Sequence, residues 1–275
     1  VPVAQHGSVR IHYRDEGDPA GPPLVLIMGL GGSGNAWWRL LPSLQDRARL
    51  LVIDNRGTGE SSPIRGPLSL RDLVADVLAV MDHAEVPVAD VHGVSMGGMV
   101  AQHLALDHPQ RVRSLLLGST TAQARSGPPP WRLIGSSGLR PLLGPGRSWP
   151  VMSRVLYARR TFEEAPERIA QDCDLRLRDG TPTVTIAAQL LAIARHDVRA
   201  RLAELGRFPV TVVHGDEDRL VAPARGRALA AGIPGAVFVM IGGCGHLMTT
   251  DAQEPTADAV LAHLDRVAVR GTPVG

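Results

Sequence analysis

Residues 91–98 read Val91-His92-Gly93-Val94-Ser95-Met96-Gly97-Gly98 and set a serine in a G-x-S-x-G frame. An apolar run leads into it and a helical pattern follows. At such a strand-to-helix turn the serine backbone is strained and the hydroxyl is pushed clear of the strand. Side chains two positions before and after would collide there, so Gly93 and Gly97 leave room. The turn also places Ser95 at a helix N-terminus, where N–H groups and the dipole favour developing negative charge. A glycine-rich turn with Ser95 as a plain N-cap would share the frame. The strand-helix setting favours a nucleophile.

A serine hydroxyl attacks poorly until a base takes its proton. Of the ten histidines, His246 stands apart: Gly242-Gly243-Cys244-Gly245-His246 follows the last apolar run and precedes the last helical pattern. Groups at the carboxyl ends of strands collect in one place in an open α/β sheet. Cys244 is a rival nucleophile without an elbow, and a small buried thiol explains it as well. The histidine needs an orienting acid. Asp216, Glu217 and Asp218 all follow the preceding apolar run, and spacing alone does not choose among them. The earlier loop Gly118-Ser119-Thr120-Thr121-Ala122 has no acid, which favours the later position.

Attack on a carbonyl develops an oxyanion that two backbone donors should meet. The amide after the nucleophile, Met96, is one. The other is expected from Met28-Gly29-Leu30-Gly31-Gly32-Ser33-Gly34, so glycine-rich that its backbone can approach a ligand. A phosphate-cradling reading needs a Gly-Lys-Ser/Thr continuation, and the chain contains no lysine.

These loops need strands to carry them. Ser8 to Arg14 alternates like a strand with one exposed face. Residues 24–28, 50–53, 88–94, 114–117, 210–213 and 237–241 are short continuous apolar runs, as strands buried on both faces of a parallel sheet require. Helical patterns lie between them. Leu70, Leu73, Val74, Val77, Leu78 and Met81 form one stripe, with Ser69 and Asp72 placed as a capping box. Further helices are predicted from Met96 to about Asp107 and from Pro255 to about Val269. The alternation predicts a doubly wound sheet. From Thr121 to Gly206 no strand is apparent. A Pro/Gly-rich stretch, Gly127 to Pro150, leads into helices such as Thr185 to Arg195. Residues 122–207 hold 14 Arg against 8 Asp plus Glu, whereas the whole chain carries +2. An inserted helical cap over residues 121–206, with a core of 1–120 and 207–275, explains the change; a solvated surface accounts for the charge.

The length, 275 residues, suits one α/β domain. A net charge of +2 argues against nucleic acid or an anionic membrane as partner. All 29 basic residues are arginine, as a GC-rich coding bias gives. Cys173 and Cys244 are expected to be buried free thiols rather than a disulfide framework. No apolar run is long enough to span a bilayer, and Val1-Pro2-Val3-Ala4-Gln5 does not read as a signal peptide, so a cytoplasmic enzyme is expected.

With these motifs the chain resembles the serine-nucleophile α/β-hydrolases, in particular the lactonase, esterase and antibiotic-methylesterase-like branch. Residues 54–61, Asp54-Asn55-Arg56-Gly57-Thr58-Gly59-Glu60-Ser61, resemble the family's D-x-R-G-x-G-x-S turn, Gly215-Asp216-Glu217-Asp218 its G-x-x-D, and Gly245-His246 its terminal G-H. The resemblance implies a mostly parallel eight-stranded sheet and selects Asp218 as the acid, in the order Ser95, Asp218, His246. It assigns the second oxyanion donor to the Leu30 amide, although Met28-Gly29 stands where the family often has His-Gly. It implies no metal or cofactor. Relatives that open epoxides or remove halogens use an aspartate nucleophile, and carbon–carbon hydrolases often follow the histidine with Trp, where this chain has Leu247. The implied activity is hydrolysis of a small carboxylic ester or lactone. Alternatives on the same triad are perhydrolase (haloperoxidase), thioesterase, or cyclase or lyase chemistry in natural-product biosynthesis; a non-catalytic binding protein is a further one. Trp37, Trp38, Trp131 and Trp149 could line a pocket or pack in the core.

Overall fold

The computed structural model describes residues 2–124 and 149–271. Eight strands form one sheet in the order β1-β2-β4-β3-β5-β6-β7-β8. They are β1 (Val3–His6), β2 (Val9–Gly17), β3 (Pro23–Ile27), β4 (Arg49–Ile53), β5 (Ala89–Val94), β6 (Val112–Gly118), β7 (Val210–Gly215) and β8 (Val237–Ile241). The β1–β2 and β2–β4 pairings are antiparallel and all others parallel. The parallel strands therefore deliver their carboxyl ends to one edge.

The unbroken apolar runs resolve into two alternating faces. Val25 and Ile27 join the cluster under α2 (Leu70–His83) and α3 (Met96–Asp107). Leu24 and Leu26 join the opposite cluster with Trp37, Leu40, Val260 and Leu264, the last two from α10 (Gln253–Gly271). Burial on both faces removes the polar alternation expected of a half-exposed strand. Ser69 and Asp72 make the reciprocal capping box that starts α2.

The chain leaves the sheet after β6 and returns at β7. Among the described residues between are the helical segments 149–156, α5 (Arg159–Glu164), α6 (Pro166–Asp179) and α7 (Thr183–Ile193), followed by a 3-10 segment, Arg199–Arg207. An isolated bridge, Gln123 to Asp197, ties the outgoing chain to the returning one. Most of the Pro/Gly-rich stretch, including Trp131, lies outside the described residues. Two carboxylates, the buried Asp172 and the half-buried Asp251, fasten this insertion to the core. Asp172 accepts from Tyr157 (2.8 Å) and Thr250 (2.6 Å) and lies 3.5 Å from the buried Arg39 guanidinium. Asp251 accepts from the Ala158 amide (2.9 Å) and the Thr161 hydroxyl (2.5 Å).

Three expectations change. β1 carries no alternation to announce it and forms by pairing with β2. β8 is the sheet edge, so Val237 is 39% exposed rather than buried on both faces. Both cysteines are free, but only Cys244 is buried; Cys173 is half-exposed. Trp37 is fully buried against the His92 ring and packs in the core. Among the described residues no helix is long and apolar enough to cross a membrane.

Candidate active site

Ser95 sits between β5 and α3 with φ 56° and ψ −117°, a left-handed backbone that a non-glycine residue rarely holds. Its neighbours hold it there. The Ser95 amide donates to Gly118 O (2.8 Å), and its carbonyl accepts from Thr120 Oγ1 (2.8 Å) and the Met99 amide (3.2 Å). A Cβ on Gly93 would come within 2.2 Å of Gly97 O, and one on Gly97 within 2.0 Å of Ile27 O. These two glycines are required by close backbone approach.

Asp218 lies on the loop after β7 and His246 on the loop after β8. His246 Nδ1 is 2.8 Å from Asp218 Oδ2, with both groups buried. The proton on Nδ1 faces the carboxylate, which leaves Nε2 of the neutral ring as the acceptor. The other Asp218 oxygen accepts from the Leu220 and Val221 amides, each at 2.9 Å. Burial alone would push this carboxyl up. The attraction of His246 and hydrogen bonds from His214 and His246 outweigh it and hold Asp218 below the usual carboxylate range. The neighbouring acids face elsewhere: Asp216 accepts from the Cys244 amide and Glu217 from the Arg159 amide. Geometry thus separates three carboxylates that spacing does not. The loops of Ser95 and His246 converge over Gly118. A Cβ there would lie 2.9 Å from Met248 and 3.0 Å from Val94. Cys244 is fully buried and burial pushes its thiol up, so it offers no thiolate near neutral pH.

The loop after β3 lies against the serine: a Cβ on Gly29 would come within 3.0 Å of Ser95 Cβ. Asn55 Nδ2 donates to Met28 O (2.9 Å) and Asp54 Oδ1 accepts from the Gly34 amide (2.6 Å). The Asp54–Ser61 turn is therefore the brace of this loop. No acceptor among the described residues takes the Leu30 or Met96 amide. A crevice beside the loop is lined by Met28, Gly32, Ser33, Leu175, Arg176 and Leu247, so α6 and the segment after His246 share it.

Four residues at the site escape a motif search. His214 Nε2 lies 3.1 Å from Asp218 Oδ2 and 2.8 Å from Val221 O, giving the acid a second histidine. Gln189 and Thr181 contact Gly31, and Asp179 accepts from Ser33 and Asn35. A signal existed for two. His214 closes the apolar run of β7, and Gln189 is a long polar side chain on the buried face of α7. A polar residue at a buried position implies a specific partner.

Residues 22–252 match the alpha/beta hydrolase fold family, and the chain belongs to it. Among relatives, the rhodomycin D methylesterase DnrP of Streptomyces peucetius is 32% identical over 274 residues, covering 90% of this chain and 92% of its own. A protein of Stutzerimonas stutzeri named as a carbamate hydrolase, RutD, is 28% identical over 92% of this chain and 96% of its own. The crystal structure of the enol-lactonase from Burkholderia xenovorans LB400 superposes with a TM-score of 0.87 at 27% identity, covering 96% of this chain and 100% of that one.

Proposed function

We propose that this protein is a serine hydrolase that cleaves a carboxylic ester or lactone of a small organic molecule through an acyl-enzyme. The observation that carries the reading is the buried His246–Asp218 hydrogen bond at 2.8 Å, with Met248 and Val94, the near neighbours of His246 and of the left-handed Ser95, both lying against Gly118. Asp218 fixes the ring so that Nε2 faces outward as base. His246 takes the Ser95 proton as the hydroxyl oxygen attacks the carbonyl carbon. The carbonyl π pair moves to oxygen, and the Leu30 and Met96 amides receive that charge. Collapse breaks the bond to the leaving oxygen, which His246 protonates. His246 then deprotonates water, the hydroxide attacks the acyl carbon, and the same steps release the acid and restore Ser95. Every step uses groups of the chain and water. The described part of the insertion belongs to a cap over residues 121–206 that shapes the pocket, on a core of 1–120 and 207–275. Relatives named as methylesterase and enol-lactonase support the ester or lactone class.

A fluorophosphonate probe tests the reading by intact mass. One adduct on the wild-type protein, absent from Ser95→Ala, is the expected result, with ester and lactone panels following, run with and without peroxide. A folded wild-type chain that takes no adduct and turns over neither panel would overturn it.

A further inference from the structure

The loop that carries Leu30 is tied at its ends by the core and at its middle by the insertion. Asn55 and Asp54 hold Met28 and Gly34. Between them, the Gly31 amide donates to Gln189 Oε1 (2.8 Å) and the Gly31 carbonyl accepts from Thr181 Oγ1 (3.0 Å). Gln189 lies on α7, and Thr181 lies just before it. Gly31 has φ +66°, and a Cβ there would come within 2.3 Å of Ile186 Cδ1, so α7 rests directly on the loop.

Peptide planarity carries these two contacts to the Leu30 amide. Gln189 orients the plane that joins Leu30 to Gly31, because that plane holds the Gly31 N–H. Thr181 orients the next plane, which holds the Gly31 carbonyl and the Gly32 N–H. The Gly32 N–H donates to Gly29 O at 3.1 Å. Gly29 O shares its plane with the Leu30 N–H and points the opposite way. Three consecutive planes are thus set, and the last is the one that aims the donor.

Gln189 is fully buried on the α7 stripe of Thr185, Ile186, Gln189 and Ala192. Its Nε2 has no partner among the described residues. A buried orphan donor is unfavourable, and a leucine would avoid it. The Gly31 hydrogen bond is what the carboxamide supplies at that position. The same contacts brace the loop from the side of the insertion.

We infer that Gln189 and Thr181 are positioning residues of the oxyanion loop, so that the Leu30 donor is aligned only while the insertion is seated on the core. This rests on the serine-hydrolase reading above. A displaced donor weakens the bond to the oxyanion far more than the binding of a neutral ester.

The test is steady-state hydrolysis of p-nitrophenyl acetate, with inhibition by phenylboronic acid, whose tetrahedral adduct on a serine mimics the charged intermediate. Gln189→Met keeps volume and removes the acceptor; Thr181→Val removes the donor, and Thr181→Ser returns it. Gln189→Met and Thr181→Val are expected to lower kcat by about 10- to 100-fold, with KM within about threefold. Boronate affinity should fall by the same factor, and Thr181→Ser should restore both. A packing role would instead lower Tm and the fraction of serine titrated by fluorophosphonate. If Gln189→Met does not fold, the Thr181 pair carries the comparison alone. Folded variants whose kcat and boronate affinity stay within about threefold of wild type, beside an inactive Ser95→Ala, would sink this inference and leave the serine hydrolase standing. A wild type that neither labels nor turns over removes both.

Discussion

The two sides of the candidate site are built by different physics. On the core side, Ser95, Asp218 and His246 stand on loops that continue parallel strands, and the buried sheet fixes where those loops begin. On the insertion side, polar contacts between residues far apart in sequence add to apolar packing such as Ala192 in the main core and Ile169 with Leu247. Gln189 meets Gly31, Asp172 meets Thr250, Asp251 meets Ala158 and Thr161, and Leu156 O accepts the His246 amide at 2.8 Å. Apolar burial is non-directional and collective, whereas a buried polar contact is directional and fails as a unit. The difference teaches that Ser95 and Asp218 take their places from the sheet, whereas the loop of Leu30 and the backbone of His246 also lean on the insertion.

Breaking the core side should give the largest effect on rate and a small one on stability. Asp218→Asn keeps size but invites the wrong histidine tautomer. We expect kcat to fall roughly 10^4-fold, with Tm nearly unchanged, as turnover and calorimetry on one preparation would read. If Tm falls as steeply as rate, Asp218 holds the fold and the separation is wrong.

Loosening the insertion should cost stability first and act on rate only through the loop that it braces. Asp172→Ala leaves the buried Arg39 without its carboxylate and strands the Tyr157 and Thr250 hydroxyls. The expected cost is about 3 kcal/mol, read as faster hydrogen exchange in α6 while the amides of β5 and β6 stay protected. Equal loss of protection in both regions would show that core and insertion unfold as one unit.

A smaller effect should come from pH. His196 closes the seam where the insertion returns, with Nε2 3.0 Å from Thr121 O and Nδ1 3.3 Å from His103 Nε2. Burial holds His196 down to about 4. It is neutral when folded and takes a proton more readily once exposed. Its contribution is therefore complete above about 6.5 and is lost as pH falls from there toward 4. Exchange of the Ala124 and Val198 amides, corrected for intrinsic rate, should rise between pH 7 and 5 before that of β5. His92 and His263 are also held near 4 by burial, and they sit in the core, where only global unfolding exposes them. A seam no more pH-sensitive than β5 would contradict this ordering.

The same division governs what the sequence reveals. α3 spans Met96–Asp107 as its pattern predicts, because strand, elbow and helix are contiguous and each residue's neighbours in space are its neighbours in the chain. The strand, elbow and helix around Ser95 are readable for that reason, whereas His246 is nominated only by its place after the last strand. The family motif selects Asp218, and only the fold shows that Asp216 and Glu217 face away. Val3-Ala4-Gln5-His6 becomes β1 because Val9–His12 lies ready to pair with it. Gln189, Thr181 and Asp179 act across gaps of 144 to 158 residues. No local pattern encodes such contacts, since a glutamine in a helix looks the same whether it faces water or a loop on another element.

The Asp54 carboxylate binds the Gly34 and Glu60 amides and the His12 ring, all within the first part of the chain. All four residues precede Ser95 in the chain, so the lower half of the loop after β3 is braced from upstream of the elbow. The upper half waits for Thr181 and Gln189, and the acid–base pair comes later still. On the serine-hydrolase reading, a chain ended before Asp218 would carry the elbow without the acid and base proposed to activate it.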